Sequence, residues 1–206
     1  MPKDKAPRKY QRSEALLKKL SKLKSFNLSE AKKIGLSHPV LLRLVSEGKV
    51  TRLQRGFYAI SGLEEQGSEG DFSIASKKFG DKAVIGGLTA LAHYKLLDEI
   101  PTKIWMLVPP TVRTVDKKYR LLRTSKDLKV GVKDAGSFRI VSIERALVDG
   151  LIFSSKIGER LAITAMLRAI KSKKVKIEKV FEIAKKLDAM PILNKYWQLV
   201  LAGLTQ

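Results

Sequence analysis

The 206-residue chain has no cysteine. That excludes disulfides, thiolate metal sites and cysteine nucleophiles together, and it fits a reducing cytoplasm. Histidine is nearly as scarce, since only His38 and His93 occur. A zinc site would then need clustered carboxylates, and none are visible, so we assign no metal and no cofactor. No apolar run approaches the roughly 18 residues of a membrane span. The basic start Met1-Pro2-Lys3-Asp4-Lys5 is not followed by the apolar stretch of a signal peptide. We therefore expect a cytoplasmic protein. Acidic residues are the last shortage: 20 Asp and Glu stand against 41 Lys and Arg, a net charge of +21. Such a surplus favours a polyanionic partner through counterion release; a basic proteome or a solubility device is the bland alternative. Membrane-surface binding would want an amphipathic helix with exposed aromatics or a lipid anchor, and neither is evident.

Hydrophobic residues make up 44% of the chain, enough for one large domain or two small ones. Charge is densest at the start, where residues 1–60 hold 15 basic and 4 acidic residues. Residues 1–10 read as a flexible basic arm. Its cations Lys3, Lys5, Arg8 and Lys9, with Arg12 just beyond, suit either phosphate tracking or a solvated tail. From Ser13, a plausible N-cap, Ala15, Leu16, Leu20 and Leu23 recur at the spacing of one helix face, with Lys22 and Lys24 in the last turn. Phe26-Asn27-Leu28 is a short extended link. Ser29 to Ile34 makes a short helix stopped by Gly35. Ser37 is expected to cap a third helix, with Pro39 in its first turn, Val40, Leu41, Leu44 and Val45 facing inward, and Gly48 ending it. Helix, short helix, glycine turn and helix make a helix-turn-helix pattern. Lys49 to Leu53 and Phe57 to Ile60 read as strands around the turn Gln54-Arg55-Gly56, and a hairpin after the third helix is a wing. The module spans residues 11–61.

A Gly-, Ser- and Glu-rich stretch over residues 62–70 reads as a linker. Residues 71–206 then form an α+β domain with a helical C-terminal part. Asp71 to Phe79 is helical. Strands are predicted over Ala83–Ile85, Lys103–Val108, Tyr119–Thr124, Lys129–Val132 and Phe138–Val141, with a helix from Leu88 to Tyr94. Ser142 caps a helix over 143–153, and helices follow over 158–171, 176–187 and 191–203. The fold class is α+β, a winged helix-turn-helix followed by a mixed domain.

In a helix-turn-helix the start of the second helix reaches base edges in the major groove. Here that places Ser37, His38 and Pro39 at the bases, with Leu42 and Arg43 one turn on. His38 suits a base or phosphate contact as well as it suits an exposed capping turn. Arg43 lies off the apolar face and is the better candidate for an ionic contact. Lys49 opens the wing. Arg52, Gln54 and Arg55 sit at its tip, where they would reach the minor groove or phosphates. The candidate DNA-binding residues are thus Ser37, His38, Arg43, Lys49, Arg52, Gln54 and Arg55.

Gly86-Gly87 before a helix has two readings: a phosphate cradle or close packing. A nucleotidyltransferase would follow such a pair with a strand bearing two carboxylates for magnesium. The next strand, Lys103 to Val108, carries none, and Asp98 and Glu99 fall in a turn before Pro101. We therefore favour packing and name no catalytic residue. Arg145 and Asp149, four apart on one helix, are explained by a local ion pair.

Two sets of segments resemble a known family. Ile34-Gly35-Leu36-Ser37, Leu41 through Val50 and Leu53-Gln54-Arg55-Gly56-Phe57-Tyr58 are similar to the N-terminal winged helix of AbiEi-type antitoxins. Ile85-Gly86-Gly87-Leu88-Thr89-Ala90-Leu91-Ala92-His93-Tyr94, the strand ending at Val108-Pro109, and Ser142 through Asp149 resemble that family's second domain. The resemblance implies a type IV toxin–antitoxin role. The winged helix would bind inverted repeats in double-stranded DNA at its own promoter and repress the operon. The second domain would counter a nucleotidyltransferase-like toxin, and such systems can act in phage defence. The alternatives are a stand-alone winged-helix regulator whose second domain serves dimerisation or effector sensing, and a nucleotidyltransferase-like enzyme. The Lys-rich segment with Lys171, Lys173, Lys174, Lys176 and Lys179 has no counterpart in the resemblance, and the oligomeric state stays open.

Overall fold

A computed structural model describes residues 15–23, 25–63 and 67–205. The basic arm and the expected N-cap Ser13 lie outside these residues. The chain divides into two compact units, residues 1–78 and 79–206.

In the first unit, helix α1 occupies residues 15–20. Strand β1 (Phe26–Asn27) leads directly into α2 (Leu28–Lys33) and α3 (His38–Ser46), and β2 (Val50–Gln54) and β3 (Phe57–Ile60) form the hairpin. The short link expected at residue 26 is thus a strand. It pairs antiparallel with β3 to give the order β1-β3-β2. Asn27 starts α2: its side chain accepts the Glu30 N–H at 2.9 Å, and Glu30 accepts the Asn27 N–H at 2.7 Å, a reciprocal capping box. Leu20, Phe26, Leu36, Leu41, Leu44, Val50 and Tyr58 close the core, with the Phe26 and Tyr58 rings stacked 6.0 Å apart.

Helix α4 runs from Gly67 to Phe79, so its first turn takes up part of the expected linker. Residues 67–78 belong with the winged helix rather than with the second unit. Phe72, Ile74 and Ala75 are buried, Ser73 and Ser25 share a buried hydrogen bond of 2.8 Å, and Lys77 pairs with Glu30 at 3.0 Å.

The second unit holds a five-stranded sheet in the order β6-β5-β4-β8-β7, from β4 (Val84–Ile85), β5 (Ile104–Val108), β6 (Tyr119–Arg123), β7 (Val132–Asp134) and β8 (Arg139–Val141). The pairs β5–β6 and β4–β8 are parallel, while β4–β5 and β7–β8 are antiparallel. Helix α5 (Gly87–His93) follows β4. Helices α6 (Ile143–Ile152), α7 (Ser154–Ile157), α8 (Glu159–Lys171), α9 (Ile177–Lys186) and α10 (Met190–Leu204) follow the last strand. Mixed sheet first and helices after is the expected α+β order.

Both members of the expected Arg145–Asp149 pair are buried, at 0% and 1% exposure, with Nε and Oδ2 2.8 Å apart. Arg145 Nη1 also donates to the Asp127 and Val130 carbonyls, at 2.9 and 2.8 Å. This is the physical reason that the expected strand at Lys129–Val132 starts only at Val132: the carbonyl of Val130 serves the guanidinium instead of a sheet ladder. Burial pushes the Asp149 carboxyl up to about 6, against the downward pull of Arg145. The folded value lies above the ordinary 3.8. Its stabilising contribution is therefore complete below that ordinary value and is lost as pH rises through about 6.

Arg145→Met strands a buried carboxyl and two carbonyls, and we expect it to cost about 3–5 kcal/mol. Urea unfolding of the full chain, followed by far-UV circular dichroism, measures this. Repeating it between about pH 4 and pH 7 should show the natural protein losing stability relative to Asp149→Asn as pH rises.

Candidate nucleic-acid interface

The turn that sets α3 against α2 depends on one backbone angle. Gly35 has φ +90°, and a Cβ built there meets nothing within 4 Å. Glycine is required by conformation, not by space. Past it, the Leu36 N–H bonds the Ala31 carbonyl at 2.9 Å and its side chain enters the core.

Ser37 holds the N-cap position of α3 with extended backbone, but its side chain makes no capping hydrogen bond. An N-cap side chain accepts from the second or third helical N–H, and Pro39 at the second position has none to give. Ser37, His38 and Pro39 are all exposed. Leu41 and Leu44 are fully buried, whereas Leu42 is 49% exposed. The helix therefore has one side sunk in the core and another offering a hydroxyl, an imidazole and a leucine. These are groups suited to base edges and thymine methyls.

Arg43 and Lys49 both meet Glu47. The Arg43 guanidinium lies 3.3 Å from Glu47, and Lys49 lies 2.9 Å from the other oxygen of the same carboxylate. The Lys49 hydrogen bond, aided by the charges of Lys49 and Arg43, holds the Glu47 carboxyl below its usual range. Two of the expected DNA contacts are thus gathered by an acid that the sequence analysis did not name. The signal was available, since Glu47 is four residues after Arg43 and two before Lys49.

The wing departs from a regular hairpin by a shift in register between Arg52 and Gln54. Gly56 turns the chain at φ +83°. Arg52 and Arg55 are exposed and Gln54 is half-buried. Leu53, between them, lines a small cavity of about 230 Å³ with Ser25 and Ile74.

In the second unit the glycine pair is filled by packing. A Cβ on Gly86 would meet Leu107 at 2.9 Å, and one on Gly87 would meet Leu122 at 2.8 Å and Trp105 at 3.1 Å. Two residues on, Thr89 Oγ1 accepts the Trp105 N–H at 2.8 Å and donates to the Lys103 carbonyl at 3.3 Å. That start of α5 is occupied by the sheet. Asp98 is held by Arg168 through two bonds of 2.8 Å, which draws its carboxyl below the usual range. Among the described residues no three His, Asp or Glu side chains gather as a metal site, and no helix is long and apolar enough to cross a membrane.

The order of helices, the glycine turn and the hairpin define a winged helix-turn-helix, the architecture of a DNA-binding regulator. Residues 14–61 match the family described as "Transcriptional regulator, AbiEi antitoxin". The chain is also similar in fold to the crystal structure of the RV2827C protein from Mycobacterium tuberculosis. The TM-score is 0.54 at 13% identity, over 97% of this chain and 82% of that one. At that identity the likeness concerns the fold alone. None of the curated proteins matches the chain.

Gly35→Ala forces an L-residue into the left-handed region without any clash to relieve. We expect a loss of about 1–2 kcal/mol, measured by thermal unfolding, and a smaller loss for Gly35→Asn.

Proposed function

We propose that the chain is a DNA-binding transcriptional regulator of the antitoxin type, acting in the cytoplasm. Its first unit lays α3 in the major groove of double-stranded operator DNA. Ser37 and His38 meet base edges, and Arg43 and Lys49 meet phosphates from the Glu47 junction. The wing brings Arg52, Gln54 and Arg55 to the backbone or the adjacent minor groove. The observation that carries this is the two-sided α3, with Leu41 and Leu44 sealed in the core and Ser37, His38 and Leu42 exposed. The surrounding charge supplies affinity through counterion release.

By its resemblance to the antitoxin family, the operator is an inverted repeat in the chain's own promoter. The second unit counters a nucleotidyltransferase-like toxin, with a role in phage defence. Co-expression with a neighbouring nucleotidyltransferase-like reading frame tests that part. Relief of growth arrest by the full chain supports it, and persistent arrest overturns it.

Gel shifts on the promoter test the interface. Arg52→Ala with Arg55→Ala should weaken binding about tenfold at about 100 mM salt and make the salt dependence shallower by one to two phosphate contacts. His38→Ala should instead reduce the preference for the promoter over unrelated duplex. Glu47→Gln releases Arg43 and Lys49 from their carboxylate and should tighten binding about two- to fivefold. Unchanged affinity in the wing variants would sink the assignment of the hairpin.

A further inference from the structure

Between the start of β5, the turn after α5 and the α7–α8 region, the second unit contains a cavity of about 670 Å³. That lies within the range of small-molecule sites, roughly 300–1,000 Å³. Its lining is mixed: Trp105, Leu161 (45% exposed) and Ile100 (87% exposed) supply apolar surface beside charged and polar side chains.

The rim has a definite sign. Lys103, Arg120 and Lys156 line it. Two of these cations lie over rings: the Arg120 guanidinium is 5.8 Å from the Trp105 ring, its neighbour across the β5–β6 register, and the Lys156 ammonium is 5.5 Å from Phe153. On the acidic side, Asp98 is engaged by both arms of Arg168, which leaves Glu99 alone against three cations. The floor is rigid, because the Trp105 backbone is held by Thr89 and its ring packs over Gly87.

We propose that this cavity binds a small amphipathic organic anion, with an apolar ring or short acyl body against Trp105 and Leu161. Its single carboxylate or sulfonate faces Arg120 and Lys103. The second unit is then a ligand-sensing domain as well as an antitoxin-like one. The site belongs to that unit alone and its test involves no DNA, so it stands or falls separately from the operator assignment.

Isothermal titration calorimetry of the full chain with 2-naphthoate, 2-naphthamide and 2-naphthylmethylammonium is the test. The acid should bind one to one, the amide about tenfold more weakly, and the ammonium not measurably. Arg120→Gln with Lys103→Gln should weaken the acid about tenfold and leave the amide unchanged. Leu161→Glu should weaken the acid too, while Lys171→Gln with Lys173→Gln, an equal charge loss away from the cavity, should not. Three results each overturn the proposal: no saturable binding of 2-naphthoate up to about 5 mM, equal affinity for acid and amide, or equal weakening by the Lys171 and Lys173 control.

Discussion

Carboxylates are outnumbered two to one in this chain, and where the few of them sit decides much of the structure. Glu30 caps α2 and ties α4 to it through Lys77. Glu47 joins the last turn of α3 to Lys49, just before the hairpin. Asp98 fixes the turn after α5 to α8 through Arg168. Asp149 anchors the one guanidinium that is fully buried among the described residues. Magnitude separates these four. Exposed pairs contribute roughly 0–1 kcal/mol and serve mainly to set geometry. The buried pair has high stakes, since either partner alone would be an uncompensated charge in the core. The surplus of cations is a source of self-repulsion that a polyanion relieves, so the same shortage that shapes the fold creates the demand for a partner.

The recognition module was legible because its punctuation is local. Gly35, Pro39, Gly48 and Gly56 each mark a boundary within a few residues of the element they end or begin, and the alternation of the hairpin is read in one pass. The attachment of α4 was not legible. It includes Ser25 meeting Ser73, two small polar residues 48 positions apart with no periodic signature, and the Lys77–Glu30 pair 47 positions apart. The late start of β7 was hidden for the same reason: the Val130 carbonyl is claimed by a guanidinium fifteen residues away. Local chemistry is written in spacing, whereas a buried side chain's choice of distant backbone partners is not.

The Gly86-Gly87 pair shows how an ambiguous motif is resolved by volume. As a pattern it admits a phosphate cradle as well as the packed joint that the neighbouring strand favours. Leu107, Leu122 and Trp105 occupy the space into which side chains at these positions would project. Thr89 then spends both its donor and its acceptor on the β5 backbone, where β4 is only two residues long. Removing a Cβ here lets the helix seat directly on the sheet. That seating fixes the backbone of Trp105, so the glycines matter to the neighbouring cavity through packing rather than through their amides.

In the interface we propose, specificity and affinity fall to different residues. The side chains that α3 exposes at its start are short or uncharged: a hydroxyl, an imidazole and, one turn on, a leucine. Such groups discriminate among base edges but bring little Coulomb attraction. The cations lie beside them, at the Glu47 junction and on the wing, where they gain from any phosphate regardless of sequence. By the same proposal, the Glu47 carboxylate between Arg43 and Lys49 lowers that indiscriminate attraction beside the exposed start of α3. In a chain with so large a positive surplus, holding down non-specific affinity at the interface is as much a requirement of a selective regulator as supplying it elsewhere. In the proposed interface that role falls to Glu47.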